Sequence, residues 1–313
     1  MAVVALDLGG TKLAAALCDA EGAIIDRQTV ALAGRKGEQV GELISTEVEE
    51  MLNRASDPVQ AIGICIPGIY RSQAGTVWVP NIDGWSDYPL LQRLTAQVAE
   101  RGIAVRIDSD RACYIMGEIR MGAAHGCRNA IFLAVGTGIG AGIIADGRIL
   151  RGHRDIAGAI GWLGLDRPFR PGYTRYGCFE YAASGDGLVR YCRDLLQESH
   201  QSSTLRSWEA QKITAPEIFA AAQQGDSLAK QVLQNAVELW GMAVANLVSV
   251  FNPEKIVFGG GVFGPAVVLL DDIYREAKKW AQPIAINQVE LVASALGGDA
   301  GLLGAAALAL TET

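Results

Sequence analysis

No pair of cysteines in this 313-residue chain is spaced as Cys-x-x-Cys; the six stand apart at positions 18, 65, 113, 127, 178 and 192. That excludes a paired-ligand metal knuckle and leaves reduced, mostly buried thiols as the reading. No window is apolar and free of charge for the length that spans a bilayer, so a membrane helix is not expected. A long basic block is missing as well, and the net charge is −7, which argues against a large nucleic-acid surface while leaving local patches open. No basic region, apolar signal core or cleavage site precedes the first strand-like run, so the expected location is cytoplasmic. There is no low-complexity linker, so any domains are joined by hinge segments rather than by a tether. What is present is hydrophobic residue at half of all positions, enough for a sizeable core, in a chain long enough for two lobes.

The most informative segment stands almost at the start. Asp7-Leu8-Gly9-Gly10-Thr11-Lys12 follows the apolar run Ala2-Val3-Val4-Ala5-Leu6, which puts an acid and a glycine turn at the end of a buried strand. Adjacent glycines let backbone N–H groups approach an anion, Thr11 adds a hydroxyl donor, and Asp7 can hold Mg²⁺ through water beside phosphates. A second strand over 13–18, a turn at 19–22 and a third strand over 23–28 follow. A P-loop or a dinucleotide fingerprint would open a helix here instead. Taken alone, the motif leaves an ordinary hairpin open. A second copy decides: the apolar strand 130–135 runs into Gly136-Thr137-Gly138-Ile139-Gly140-Ala141-Gly142, then a strand and a hairpin at Asp146-Gly147. The paired glycine-threonine hairpins resemble those of the actin, sugar-kinase and heat-shock ATPase superfamily. The resemblance implies an α/β, two-lobed, duplicated ribonuclease H-like (actin-like ATPase) fold with an interlobe cleft, in which Asp7, Gly9, Gly10, Thr11, Lys12, Gly136, Thr137 and Gly138 hold nucleotide phosphates and magnesium.

Between and beyond the hairpins, periodicity predicts helices over 37–55, 89–101, 112–121, 181–196, 226–251, 265–281 and 302–311, with strands over 61–66, 104–108, 255–258 and 289–292. Residues 152–177 read as irregular. The expected division is 1–121 as the first lobe, with a C-terminal helix over 302–313 packing back on it, and 122–301 as the second, larger lobe. Gly259-Gly260-Gly261 closes the strand 255–258, where backbone can lie against adenine or ribose. The segment 299–304 is a further candidate for closing that pocket, with Asp299 equally an N-cap.

Asp110 follows the apolar strand 103–107 at a strand-to-helix turn, the place where open α/β sheets bind ligands. A carboxylate there can orient a hydroxyl and accept its proton as a γ-phosphoryl group transfers. Asp108, Ser109 and Asp110 are also all good caps for the following helix, so the residues alone leave both readings open.

The segment from Ser109-Asp110 to Gly117-Glu118 is similar in spacing to the Asn-Asp-x-x-x-x-x-x-Gly-Glu motif of the ROK family, a group of repressors, unassigned reading frames and sugar kinases. Ile66-Pro67-Gly68, Pro80-Asn81-Ile82-Asp83-Gly84-Trp85, the 136–142 hairpin, Ala157-Gly158-Ala159-Ile160-Gly161, Gly177-Cys178-Phe179-Glu180 and Asn252-Pro253 through Gly261 match that family in order along nearly the whole chain. The resemblance implies an ATP- and Mg²⁺-dependent sugar kinase that often dimerises, with Asp110 as general base and Gly68, Asn81, Ser109, Asp110 and Glu180 at the sugar. Trp85 offers a ring face to a pyranose on this reading, or else belongs to the core. Gly68 allows close approach of substrate or simply makes a tight turn, and Glu180 is alternatively a surface acid opening a helix.

One stretch departs from the family pattern. Relatives carry Gly-Glu-x-Gly-His and then Cys-x-Cys-Gly-x-x-Gly-Cys-x-Glu, whose histidine and three cysteines bind structural zinc. Here Ala159 replaces the glutamate, Trp162 the histidine, and Pro171 and Tyr173 the first two cysteines, so that Cys178 alone remains. One thiolate cannot hold a tetrahedral site, and no structural zinc is expected; Trp162, Phe169, Tyr173 and Tyr176 are the candidates to pack the loop instead. Loss of the family's glutamate and histidine also removes two sugar contacts, which points away from glucose and N-acetylhexosamines. Arg154, Arg167, Arg170 and Arg175 raise sugar acids as an option, against the plainer reading of a solvated basic loop. Two other classes share parts of this pattern. A sugar-sensing ROK-type repressor places a helix-turn-helix before the first hairpin, where the position of Asp7 leaves no room, and a catalytically silent sugar-binding protein draws support only from the departures just described.

Overall fold

The computed structural model describes residues 1–208 and 212–311 and divides into two compact units. The first comprises residues up to Gly126, the segment Ile149–Ala157 and the C-terminal stretch from Ala295; the second comprises Cys127–Arg148 and Gly158–Ser294. Three pieces expected in the second lobe, residues 122–126, 149–157 and 295–301, therefore fall with the first.

In the first unit the elements run β1 (Ala2–Leu8), β2 (Lys12–Cys18), β3 (Ile24–Ala31), α1 (Glu38–Arg54), β4 (Val59–Ile66), β5 (Ile69–Arg71), β6 (Thr76–Trp78), α2 (Leu90–Val98), β7 (Ala104–Ser109) and α3 (Asp110–Met121). The first three strands form an antiparallel meander, β4 joins β1 in parallel, and β7 joins β4, giving the order β3-β2-β1-β4-β7. Both faces of β1 are covered, which is why it reads as an unbroken apolar run, whereas β3 at the edge alternates half-buried and exposed residues. Helix α1 buries Val40, Ile44, Val48 and Met51, one stripe at helical spacing.

The second unit holds β8 (Ala130–Val135), β9 (Ile139–Ala145), β10 (Arg148–Ile149), α4 (Tyr173–Tyr176), α5 (Cys178–Ala183), α6 (Gly185–Glu198), α7 (Ala215–Gln223), α8 (Ser227–Phe251), β11 (Lys255–Gly259), α9 (Leu270–Ala277) and β12 (Glu290–Ala293). Its sheet order is β10-β9-β8-β11-β12, again an antiparallel meander followed by two parallel strands. The same five-strand plan thus occurs twice, the ribonuclease H-like duplication. The chain closes with α10 (Ala300–Ala309), apolar on every side, packed with β1, β4 and α3 of the first unit. Residues 312–313, placed by the sequence in this helix, lie outside the described residues. Among the described residues no helix is long and apolar enough to cross a membrane.

Three elements differ from the sequence reading. Helix 181–196 is two helices, because the Ser184 hydroxyl accepts the Gly187 N–H at 2.9 Å and starts a new one. The predicted helix 265–281 opens as a 3₁₀ turn over Pro265–Leu269 before α9. Helix α7 was missed, although Thr214-Ala215-Pro216-Glu217 spells a capping box with proline in the first turn.

Candidate active site

Three polar residues end β7, and each has a different task. Asp108 is only 5% exposed; its Oδ1 accepts the Ser109 N–H at 2.8 Å and its Oδ2 meets Arg151 Nη2 at 2.5 Å. Burial pushes the Asp108 carboxyl up, and the Arg151 charge holds it partly down. Ser109 is the cap of α3, its Oγ accepting from Ala112 N at 3.4 Å. Asp110 is the first helical residue, so the helix starts two positions before the expected 112. Its Oδ1 accepts the adjacent Arg111 N–H at 2.7 Å. Because its neighbours cap the helix and hold the strand end, the half-buried Asp110 carboxylate keeps capacity for another partner. Burial pushes it up to about 6, opposed by the Arg111 charge and N–H and reinforced by the charge of Asp7. A carboxyl poised there suits proton transfer near neutral pH.

Asp7, near the end of β1, lies between Ala14 of β2 and Cys65 of β4 in register. Burial raises its carboxyl, while the Cys65 thiol and Lys12 draw it down. The turn beyond it is closed by the Gly9 N–H donating to the Lys12 carbonyl at 2.8 Å, and Gly10, Thr11 and Lys12 are exposed. A Cβ at position 301 would stand 2.4 Å from Asp7 Oδ2, so the first turn of α10 comes right against this carboxylate. Within the segment 299–304, Gly301 thus packs on Asp7, and Asp299 pairs with Arg27 at 3.3 Å.

Gly10 and Thr11 open onto a cavity of about 410 Å³ that Arg35, Lys36, Asn81 and Asp83 also line. Asn81 is exposed there, whereas Trp85 is not: at 1% exposure, stacked on Tyr88 and donating Nε1–H to the Gly37 carbonyl at 2.9 Å, it belongs to the core and offers no face to a sugar. At Gly68 a Cβ would fall 2.1 Å from the Trp78 carbonyl oxygen, so close approach of the protein's own backbone already requires glycine here. Arg35 and Lys36 went unnoticed in the sequence because they follow an edge strand with no motif around them.

In the second unit the β8–β9 turn is organised from two sides. Glu180 Oε2 accepts the Ile139 N–H at 2.7 Å, and the Gly185 N–H at the start of α6 donates to the Gly136 carbonyl at 2.7 Å. Burial raises the Glu180 carboxyl, countered by that N–H and by Arg190. A cavity of about 940 Å³ is lined by Gly136, Thr137, Gly185, Asp186, Thr214 and Gly261 among others. Of the three consecutive glycines only Gly261 reaches it. Gly260 has φ +90° and its Cβ would strike the backbone of Val135, while Gly259 lies against the Phe132 ring. Gly185, Asp186 and Thr214 were missed by the sequence reading, and their signal was the helix break and capping box described above.

The departing loop is held by side chains. Tyr173, 7% exposed, donates its hydroxyl to Asp166 Oδ2 at 2.5 Å and meets Phe169 and Tyr181 edge to face. The Asp166 N–H donates to Cys178 Sγ at 3.3 Å. Tyr176 packs beneath the Arg190 guanidinium, 3.9 Å from its centroid. Trp162 and Phe169, expected to fill the loop, are instead 58% and 69% exposed. Two of the four arginines have local partners, Arg170 with Asp166 at 3.7 Å and Arg175 over Tyr176, which favours the plain basic-loop reading for them.

Comparison with known proteins bears on the whole chain. The ROK family model matches residues 3–312. A glucokinase from Halalkalibacterium halodurans is 31% identical over 313 residues, covering 96% of this chain and 92% of that protein. Among solved structures, a ROK hexokinase from Thermus thermophilus aligns with TM-score 0.82 at 32% identity, covering 99% of this chain and 98% of the other. A ROK family glucokinase from Streptomyces griseus in complex with glucose and AMPPNP aligns with TM-score 0.76 at 31% identity, covering 99% of both chains.

Proposed function

The chain belongs to the ROK family, and from that premise we propose that it transfers the γ-phosphoryl group of ATP to a hydroxyl of a hexose or hexose-like sugar, with Asp110 as general base. The observation that carries this reading is the division of labour at the end of β7, which leaves Asp110 as a carboxylate near neutrality with no structural duty beyond its neighbour's N–H. Asp110 orients the acceptor hydroxyl and takes its proton as the oxygen attacks phosphorus and the bond to ADP breaks. Gly9, Gly10, Thr11 and Lys12 bind phosphate oxygens through the exposed first hairpin, and Gly136, Thr137 and Gly138 do so through the second. Gly261, with Gly185 and Thr214, lines the nucleoside cavity. Asp7 fits Mg²⁺: it is a hard oxygen donor beside a phosphate-binding turn, and an ion that keeps several waters needs few protein ligands. Held there, such an ion would supply positive charge to offset that on the transferring phosphoryl group. Asn81, Ser109 and Glu180 contact the sugar.

The acceptor is a sugar or polyol that presents fewer hydroxyls to the wall formed by Ala159 and Trp162 than glucose does. A hydroxyl buried there without a partner costs on the order of 1–3 kcal/mol. Coupled ADP-release assays over hexoses, N-acetylhexosamines, polyols and sugar acids test both statements. Turnover on none of them sinks the kinase reading, and glucose or an N-acetylhexosamine as clearly the best substrate sinks the specificity alone.

A further inference from the structure

The strand end that carries Asp110 is fastened from outside its sheet. Asp108, two residues earlier on β7 and almost fully buried, is neutralised by Arg151, and its other oxygen takes the Ser109 N–H. Ser109 in turn caps α3 through Ala112. A continuous set of contacts thus leads from the guanidinium through Asp108 to Ser109, directly before the base, and on to Ala112, two residues after it. Arg151 itself is well anchored. It lies in the segment Ile149–Ala157, and four residues further on Asp155 accepts both the Ser72 N–H at 2.9 Å and the Ser72 hydroxyl at 3.0 Å. Arg154 and Asp155 hold φ values of 58° and 64°, left-handed conformations that non-glycine residues adopt only where surrounding contacts impose them. A buried carboxylate cannot stay ionised in place without such a partner, so loss of Arg151 would force Asp108 to protonate or to move.

We propose that Arg151 is a positioning residue for the base: by pairing with Asp108 it fixes the β7–α3 junction and holds the Asp110 carboxylate where the acceptor hydroxyl must meet it. The inference rests on the kinase reading above. It separates Arg151 from Arg170 and Arg175 of the departing loop, which touch Asp166 and Tyr176 in the second unit.

Steady-state kinetics and thermal melting of Arg151→Gln, Arg151→Lys, Asp108→Asn and the double variant Asp108→Asn with Arg151→Gln test it. Arg151→Gln should lower kcat by roughly 10- to 100-fold, the scale of a misplacement of about 1 Å, while KM for ATP stays within about twofold. Arg151→Lys should recover part of the loss. In the double variant two neutral amides can bond each other, so its kcat should exceed the product of the two single effects. Variants that melt earlier but keep wild-type kcat would mark the pair as merely structural and overturn the inference; so would single effects that simply multiply. Should Arg151→Gln not fold, the lysine and double variants decide the matter in the same way. A wild-type protein inactive on every sugar would overturn the kinase reading and this inference with it, whereas an active wild type with unaffected variants overturns this inference alone.

Discussion

Both units place a glycine hairpin after the middle strand of the same five-strand order, yet only the first puts a carboxylate two residues before its first glycine. Asp7 holds that position before Gly9; Ala134 holds it before Gly136. In the second unit the acid comes from outside the sheet, as Glu180 of α5, and one of its oxygens is engaged in ordering the hairpin through Ile139 N–H. A duplicated backbone has therefore not meant duplicated chemistry. The first unit holds the raised carboxyls of Asp7 and Asp110, close enough for one to act on the other's proton affinity, and the second holds a large cavity and the hairpin-ordering acid Glu180. If that contrast is functional, variants in the first unit should chiefly change kcat and variants in the second chiefly KM.

The largest effect is expected at Asp110. Asp110→Asn should lower kcat by roughly 10²–10⁴-fold with both substrates still bound, because the amide keeps the shape and loses the proton acceptor. In the unaltered protein kcat/KM should rise with pH through about 6, as Asp110 ionises, and the variant should lose that limb. The same shift has a sign for stability. The folded carboxyl binds its proton more tightly than the unfolded one, so its contribution to stability falls as pH rises through about 6 and stays lost above it. Asp110→Asn should thus melt no lower than the parent at pH 8, and a large drop in Tm there would contradict the assignment.

Next comes Asp7. Asp7→Ala should raise the Mg²⁺ concentration needed for half-maximal rate by roughly 10- to 100-fold, the usual consequence of removing a group that holds a metal's water; an unchanged magnesium curve would erase the contrast with Ala134. Glu180→Ala tests the second unit, and the KM for sugar should rise by roughly 10-fold or more, the worth of a hydrogen bond to a charged group, with KM for ATP much less affected. Equal changes in both constants would mean that Glu180 serves only the hairpin. The smallest effect is a null one. Stripping the protein with a chelator and restoring Mg²⁺ should return full activity and stability, since Tyr173, Asp166 and Cys178 already tie the loop together; one zinc per chain by elemental analysis would refute this.

How far the sequence could be read follows from where each determinant lies. The hairpins, the middle strands and Asp110 were legible because glycine, threonine and acid sit within a few residues of an apolar run. The roles inside the Asp108-Ser109-Asp110 triplet were not, since they depend on Arg151, 43 positions away in the chain. Trp85 was ambiguous for a similar reason: its indole is fixed by a carbonyl 48 residues distant. Gly259 and Gly260 carried a true backbone signal, but the Phe132 ring and the Val135 backbone on the neighbouring strand decide that they serve packing while Gly261 meets the cavity. The break at Ser184 was overridden by an apolar periodicity that continues on both sides of it.

The closing helix α10 carries a consequence for how the protein is made. Leu302, Ala305, Ala306 and Leu308 fill one core with Val3, Ala5 and Cys113, so β1, made early, must wait for α10, made much later, before its core is complete. The second unit, whose strands and helices are all synthesised by Ser294, can finish earlier. Synthesis runs from the N-terminus while completion runs the other way, and loss of α10 would leave β1 and the Asp7 turn that follows from it without a partner layer.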